Sequence, residues 1–360
     1  MEPLKEMFNK AFYQHFANSF ASVNPHFNAA VFIKAVTKNL DELSLNARLR
    51  NTSIVLQQFL PAAYEKAIKV LYDVAPLLPT GYTALVLPDF VALYGKAYFS
   101  LSMEALRDFT SLGSSEFAIR EFLKTDFKKT LTVMHKWADD KDHHVRRLAS
   151  EGSRPRLPWS FKLDEVIKEP ALTTGILEKL KADETLYVRK SVANHLNDIS
   201  KDNTAYMLQL VKGWDSTHPH TAWIIKHASR TLIKKGDQES LAIFNFEKEV
   251  KVRLDKFRLS AATIQLGEVL QFELQLTSEK TTPQKLVIDY IIHYPKASGE
   301  LSAKVFKLKE ITLLPGQEVK LTKQQLFKDL TTRKHYAGKH GIAIMVNGKV
   351  LAEKNFRLTL

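Results

Sequence analysis

The stretch HHVRRLASEGSRPRLPW, residues 143–159, opens as a short basic helix and ends as a loop holding two arginines, two prolines and a tryptophan. Its tetrapeptide HVRR (144–147) has counterparts at AIRE (118–121), YVRK (187–190) and IIKH (224–227), each with an apolar residue ahead of basic or polar ones. The helices carrying these tetrapeptides start near Glu116, His143, Glu184 and Pro219, and plainer helical stretches fall between them at 127–138, 172–180 and 204–213. Start-to-start spacings are about 27, 41 and 35 residues; the long interval contains the loop GSRPRLPWSF.

Such spacings vary around the helix-pair length of HEAT-like solenoids. Stacked pairs form a curved array whose concave face is built from equivalent helices. On that face Arg120, Arg146, Arg147, Arg189, Lys190, Lys226 and Arg230 would form a basic groove, with cross-repeat salt bridges as the alternative reading. Upstream, Leu4, Met7, Phe8, Ala11, Phe12 and Phe16 recur at helical spacing within 4–21, and 27–43, 47–60, 64–78, 88–98 and 103–109 continue the series between proline breaks. After about residue 250 the period becomes alternating. Seven strands are expected at 250–259, 269–276, 286–294, 304–313, 318–321, 341–346 and 350–358, with Asn347-Gly348 as a hairpin turn. The fold class read from this pattern is mainly α: a HEAT-like helical-repeat solenoid over 1–249, followed by a small all-β immunoglobulin-like sandwich over 250–360.

Composition narrows the function. Two domains suit 360 residues. The chain has no cysteine, which excludes disulfides, thiolate metal sites and cysteine nucleophiles. The start of the sequence lacks a signal-peptide pattern, and its longest apolar region, 82–103, is interrupted by Pro88, Asp89 and Lys96, so a cytoplasmic protein without a membrane partner is expected. The net charge of +13 favours a polyanion as partner. Residues 251–360 carry nineteen Lys and Arg against ten Asp and Glu, or +9 of that total, and include the basic, aromatic loop KHYAGKH at 334–340.

Gly152 reads as the residue just past a helix end, in a left-handed conformation. That leaves Glu151 in the last turn, where the helix dipole disfavours an acid. Asp198, late in the helix from Glu184, is in the same situation, and Asn194 shares its face. Glu116 follows Ser114-Ser115 into a first turn, where an acid is favoured anyway. No His and carboxylate set has metal-ligand spacing, and GxGxxG, GxxxxGK[ST] and GxSxG are all missing, so neither a metal nor another cofactor is expected.

The run RRLASEGSRPRLPW, together with SSEFAIREF (114–122), YVRKSVANHLNDISKD (187–202) and WIIKHASRTLIKKGD (223–237), resembles the AlkC-type DNA alkylation repair glycosylases. Some members of that family also have an immunoglobulin-like C-terminal domain. The resemblance implies excision of small cationic N3-alkylated bases, 3-methyladenine and 3-methylcytosine, from double-stranded DNA, without flipping the base into a deep pocket, by a protein expected to be a monomer. Cleavage of the glycosidic bond moves positive charge onto the deoxyribose. Carboxylates beside C1′ stabilise that charge, and a tryptophan face adds cation-π attraction. The catalytic candidates are Glu151, Asp198, Trp159 and, through the resemblance, Glu116. DNA-binding candidates are the groove residues with Arg154, Arg156, Asn194 and His227, and, in the C-terminal loop, Lys334, His335, Tyr336, Lys339 and His340. The competing reading is a non-catalytic helical-repeat module that binds nucleic acid or protein as a scaffold. RNA also fits a surface that reports phosphate alone.

Overall fold

The computed structural model describes every residue except 1, 2, 236, 238–245, 247–249, 331 and 332. It divides into two compact units, Met1–Met207 with Gly213–Ala228, and Leu208–Lys212 with Ser229–Leu360. The expected boundary after residue 249 falls on 247–249, outside the described residues.

The described helices are α1 (Lys10–Val23), α2 (Ala29–Val36), α3 (Leu45–Gln57), α4 (Tyr64–Val74), α5 (Val86–Tyr94), α6 (Phe99–Phe109), α7 (Glu116–Thr125), α8 (Phe127–Trp137), α9 (His143–Gly152), α10 (Asp164–Lys168), α11 (Thr174–Leu180), α12 (Leu186–Ile199), α13 (Thr204–Lys212), α14 (Pro219–Ala228) and α15 (Arg230–Lys235). Side-chain caps fix several starts: Asn9, Asn28, Ser44, Asp126 and Asp142 each accept a backbone N–H from the first turn of the helix that follows. Two expected helices are shorter for local reasons. The 4–21 stretch begins as a 3-10 turn, Leu4–Met7, before Asn9 caps α1. The 27–43 stretch ends its α-helix at Val36, because Asn39 turns left-handed at φ 60°.

In the first unit α9 packs between α7 and α12, and α12 packs between α9 and α14, while α8 and α11 cover the other side of α9. The four helices with basic tetrapeptides are therefore neighbours in space. Their apolar residues Ile119, Val145, Val188 and Ile225 are buried between them.

Gly152 corrects the sequence reading. It closes α9 in helical conformation, with Ser153 as the cap residue at φ −90°, and it is not among the left-handed positions. Packing requires glycine here. A Cβ at Gly152 would lie 2.5 Å from Ile119 Cγ2 and 3.1 Å from Met134 Cε, so glycine lets the last turn of α9 press against α7 and α8.

The second unit holds β1 (Val252–Leu259), β2 (Thr263–Gln265), β3 (Val269–Ser278), β4 (Gln284–Pro295), β5 (Leu301–Leu313), β6 (Glu318–Leu326), β7 (Gly338–Val346) and β8 (Lys349–Thr359). They form two sheets, ordered β1-β3-β6 and β2-β8-β7-β4-β5. Leu274, Ile288, Ile292, Ile344 and Phe356 pack within its core. Seven of these strands match the alternating runs; the eighth, β2, pairs in parallel with β8 over three residues, too few to show a period. Asn347 at φ 44° and Gly348 at φ 81° make the two-residue hairpin. Among the described residues no helix is long and apolar enough to cross a membrane.

Gly152→Ala tests the packing account. The added methyl meets side chains in a filled core, and we expect a loss on the order of 1–3 kcal/mol in urea unfolding. A variant as stable as the parent would show that Ile119 and Met134 give way freely.

Candidate active site

Three carboxylates and three cations form one alternating chain across α7, α9 and α12. Lys201 Nζ lies 2.8 Å from Asp198 Oδ1, and the other carboxylate oxygen of Asp198 accepts from Arg154 Nε at 2.8 Å. Arg154 Nη2 also approaches that oxygen, at 2.7 Å, and Nη1 donates to Glu151 Oε1 at 2.6 Å. Arg147 follows, with Nη2 at 3.5 Å from the same Glu151 oxygen and Nη1 at 2.5 Å from Glu116 Oε2. Arg147 Nη1 also donates to Ser114 Oγ at 2.8 Å.

The chain runs into the protein interior: side-chain exposure is 15% at Glu116, 7% at Glu151, 8% at Arg154 and 2% at Asp198. Burial alone would lower the pKa of Arg154, but Glu151 and Asp198 outweigh it and hold the guanidinium above its ordinary value. Arg147 behaves alike, its burial outweighed by Glu151 and Glu116. Both arginines are locked in the charged form.

A cavity of about 480 Å³ opens along this chain, lined in part by Glu116, Arg147, Glu151, Tyr82, Tyr187 and Trp159. Asp198 and Arg154 are not in its wall. Trp159 is 69% exposed and sits at φ 64°, an unusual conformation for a bulky residue. Its ring meets Tyr82 edge-on at 6.5 Å between centroids. Arg147 lies 4.7 Å over the ring of Tyr187. Glu151 and Trp159, eight residues apart, thus meet at one opening.

The loop that carries Trp159 is held from below by Arg120. Its Nη1 donates to the carbonyls of Gly152 at 3.0 Å and Arg154 at 2.7 Å, and its Nη2 donates to the carbonyl of Phe161. Arg120 is fully buried, and this burial, with Arg154 nearby, lowers its pKa to about 10. The expectation that Arg120 contacts DNA is therefore corrected: its donors point at backbone inside the protein. Arg154 is corrected likewise, because it joins two carboxylates below the surface. Arg156 forms an outer bidentate pair with Asp202 at 2.7 and 2.6 Å.

The other groove candidates divide between structural ties and surface. All three nitrogens of the Arg146 guanidinium are used, on Asp183 and on the carbonyls of Asp140 and Lys141, so the salt-bridge reading holds for it. Arg189 donates to the carbonyls of Asp183 and Glu184 and lies 5.9 Å over Trp223. Lys190 and Lys226 are exposed, Asn194 is half-buried, and His227 stacks on Trp223 at 4.8 Å. Arg230 begins α15 in the second unit.

In the second unit Lys334 and Lys339 are exposed and Tyr336 is half-buried. His335 and His340 do not belong to a DNA-facing loop. Both are buried, edge-on to Tyr294 and Phe327, and burial lowers the pKa of His340. A cavity of about 440 Å³ on this unit is lined by Lys304, Arg333, Lys334, Tyr294 and Tyr336, among others. Lys304 and Arg333 lie over the rings of Phe306 and Tyr294, and Lys334 is among the positive groups that lower the pKa of Asp329, after the hydrogen bonds from His335.

Asp142, His143 and His144 bring potential metal-ligand atoms within 4.8 Å of one another. The carboxylate is already in use as the cap of α9, accepting the His144 N–H at 2.8 Å, and burial together with His143 lowers the pKa of His144.

Residues 113–232 match the family described as DNA alkylation repair enzyme, and residues 253–360 match the family described as the C-terminal Ig-like domain of the uncharacterised protein YhaZ. Uncharacterized protein YhaZ of Bacillus subtilis (strain 168) is 41% identical over 359 residues, 99% of this chain and 100% of that protein. The structure of the Pseudomonas fluorescens alkylpurine DNA glycosylase AlkC, bound to DNA containing an abasic site analog, is similar with a TM-score of 0.97 and 46% identity over 100% of both chains. With a helical unit that carries this carboxylate and arginine chain, and an Ig-like β unit after it, the chain belongs to the AlkC family of DNA alkylation repair proteins.

Proposed function

We propose that this chain is a DNA glycosylase that removes small cationic N3-alkylated bases, 3-methyladenine and 3-methylcytosine, from double-stranded DNA. The observation that carries the proposal is Glu151, a carboxylate in the wall of a cavity that also presents Trp159. In this reading the helix pairs form a HEAT-like array, and the Ig-like domain after about residue 250 is a clamp on the duplex.

The chemistry follows from charge. The C1′–N bond breaks with its electron pair leaving on the base, whose ring charge is neutralised, so no acid is needed. Positive charge develops at C1′, where Glu151 stabilises it and receives a proton from the water whose oxygen joins C1′. Asp198 acts with Glu151 from behind Arg154, fixing that guanidinium and adding negative potential. Trp159 offers its face to the cationic base, an attraction of about 0.5–2 kcal/mol depending on desolvation. Glu116 holds Arg147 in the cavity wall. The cavity is open and shares its rim with the exposed Trp159, which supports recognition at the duplex surface without a deep base pocket.

The function is tested by incubating the protein with alkylated duplex and identifying the bases released. Glu151→Gln keeps an acceptor for Arg154 and removes the charge. Its single-turnover excision rate should fall by about 10- to 1000-fold, the scale of losing one electrostatic or base group, with affinity for undamaged DNA unchanged or higher. Asp198→Asn should slow excision by at least about tenfold by the same reasoning. If both variants are folded and excise at the parental rate, the carboxylate assignment is wrong and the scaffold reading gains.

The clamp is tested at the cavity of Lys304, Arg333 and Lys334, whose clustered cations suit backbone phosphate. For every phosphate that a variant no longer neutralises, the logarithmic salt dependence of duplex binding should become shallower by about 0.9. Lys304→Ala with Arg333→Ala should therefore flatten the slope without sequence preference. An unchanged slope would remove this face from the DNA interface.

A further inference from the structure

His195 is fully buried on α12, one turn before Asp198, and is not part of the cavity wall. Its Nδ1 lies 3.0 Å from the carbonyl oxygen of Ser150, the residue before Glu151 on α9. Its Nε2 lies 3.2 Å from Thr173 Oγ1, at the end of the 3-10 turn that precedes α11. A carbonyl only accepts, so Nδ1 carries the proton and Nε2 is left as an acceptor facing the Thr173 hydroxyl, whose one proton is shared with the Pro170 carbonyl at 3.2 Å.

The position of Ser150 gives this bond its importance. α9 ends at Gly152, and the backbone N–H groups just beyond it, those of Ser153 and Arg154, both turn to the Glu151 carbonyl. The Arg154 N–H goes to Glu151 at 3.3 Å, not to Ser150. Beyond the 3.3 Å contact from Ser153 Oγ, the Ser150 carbonyl takes its hydrogen bond from another helix, through His195. The imidazole thus ties the backbone beside Glu151 to the turn of α12 that carries Asp198. Between the two carboxylates Arg154 fits with contacts of 2.6 and 2.7 Å, a spacing that a slide of either helix would open.

We propose that His195 is a positioning residue for the reaction: it sets the separation of Glu151 and Asp198 and so the placement of Arg154 and the charge facing C1′. It is not the proton carrier. Burial, with Arg154 and Arg120 also opposing protonation, lowers its pKa to about 3, so the ring is neutral at working pH. This role rests on the glycosylase reading above.

Three substitutions in the full chain separate positioning from bulk packing. His195→Asn places an amide N–H where Nδ1 stands and keeps the bond to Ser150. His195→Gln moves the amide outward toward Thr173 and leaves the Ser150 carbonyl without a donor from α12. His195→Phe fills the space with neither. Excision of 3-methyladenine from a defined duplex is measured in single turnover across pH, beside thermal unfolding and affinity for undamaged duplex. We expect the Asn variant within about threefold of the parent, and Gln and Phe slower by about 30-fold or more, with duplex affinity within about threefold throughout. The pH profiles of parent and Asn variant should have the same shape. Equal rates for Asn and Gln variants of matched stability, or a Phe variant excising at the parental rate, would overturn the proposal. So would loss of one limb of the pH profile in the Asn variant, because His195 would then be moving the proton. If Phe does not fold, the comparison of Asn with Gln decides. A parent that releases no base refutes the glycosylase reading instead, and that result is separate from any difference among the variants.

Discussion

The guanidinium of Arg154, held between Glu151 and Asp198, is the interaction on which the site depends. Taking carboxylates out of water costs several kcal/mol each, even after relaxation. Asp198 and Glu151 remain in the interior because one planar cation meets both, with Lys201 and Arg147 at the outer ends. Removing one member of such a buried set leaves an uncompensated charge and costs about 3–5 kcal/mol, far more than the intact pair contributes to stability. This asymmetry is why amides and not alanines are the informative replacements here. It also explains why Glu151 tolerates the end of α9: Arg147, four residues before it, and Arg154, three after, supply the positive charge that the helix end favours.

Much of the architecture was legible in the sequence because period is a direct record of burial. The tetrapeptides around Ile119, Val145, Val188 and Ile225 marked four helices that are neighbours in space, and alternation after residue 250 marked seven of the eight strands. Glu151 was legible for a similar reason, as an acid at a helix end. What the sequence hid was depth. Arg120 and Arg154 look like surface cations in a string of letters, yet one binds three carbonyls and the other two carboxylates inside the fold. His335 and His340 read as part of a basic loop, but β7 begins at Gly338, and the aromatic cluster of Tyr294, Phe327 and Phe356 takes their rings inward. Gly152 gave the right helix end for the wrong reason, since a steric contact with Ile119 leaves no trace in local sequence. Tyr82 had no signal at all: it reaches Trp159 from a turn far upstream.

The paired cations also solve a problem that a carboxylate site has with a polyanionic partner. Glu116, Glu151 and Asp198 would oppose a phosphate backbone if they stood alone. Matched one to one by Arg147, Arg154 and Lys201, they present no net charge at long range. At contact distance the balance is uneven. Glu151 and Glu116 stand in the cavity wall with Arg147, whereas Arg154 lies behind it. On the proposed function, a duplex arriving from solvent meets a neutral assembly, and only a charge that develops within a few ångströms of Glu151 sees the carboxylate ahead of its counter-ion. Screening and distance, acting on fixed groups, thus separate binding from chemistry. That separation requires that Glu151 and Arg154 not exchange places, and Arg120 below the loop and the carbonyl tie at Ser150 are the contacts that hold them.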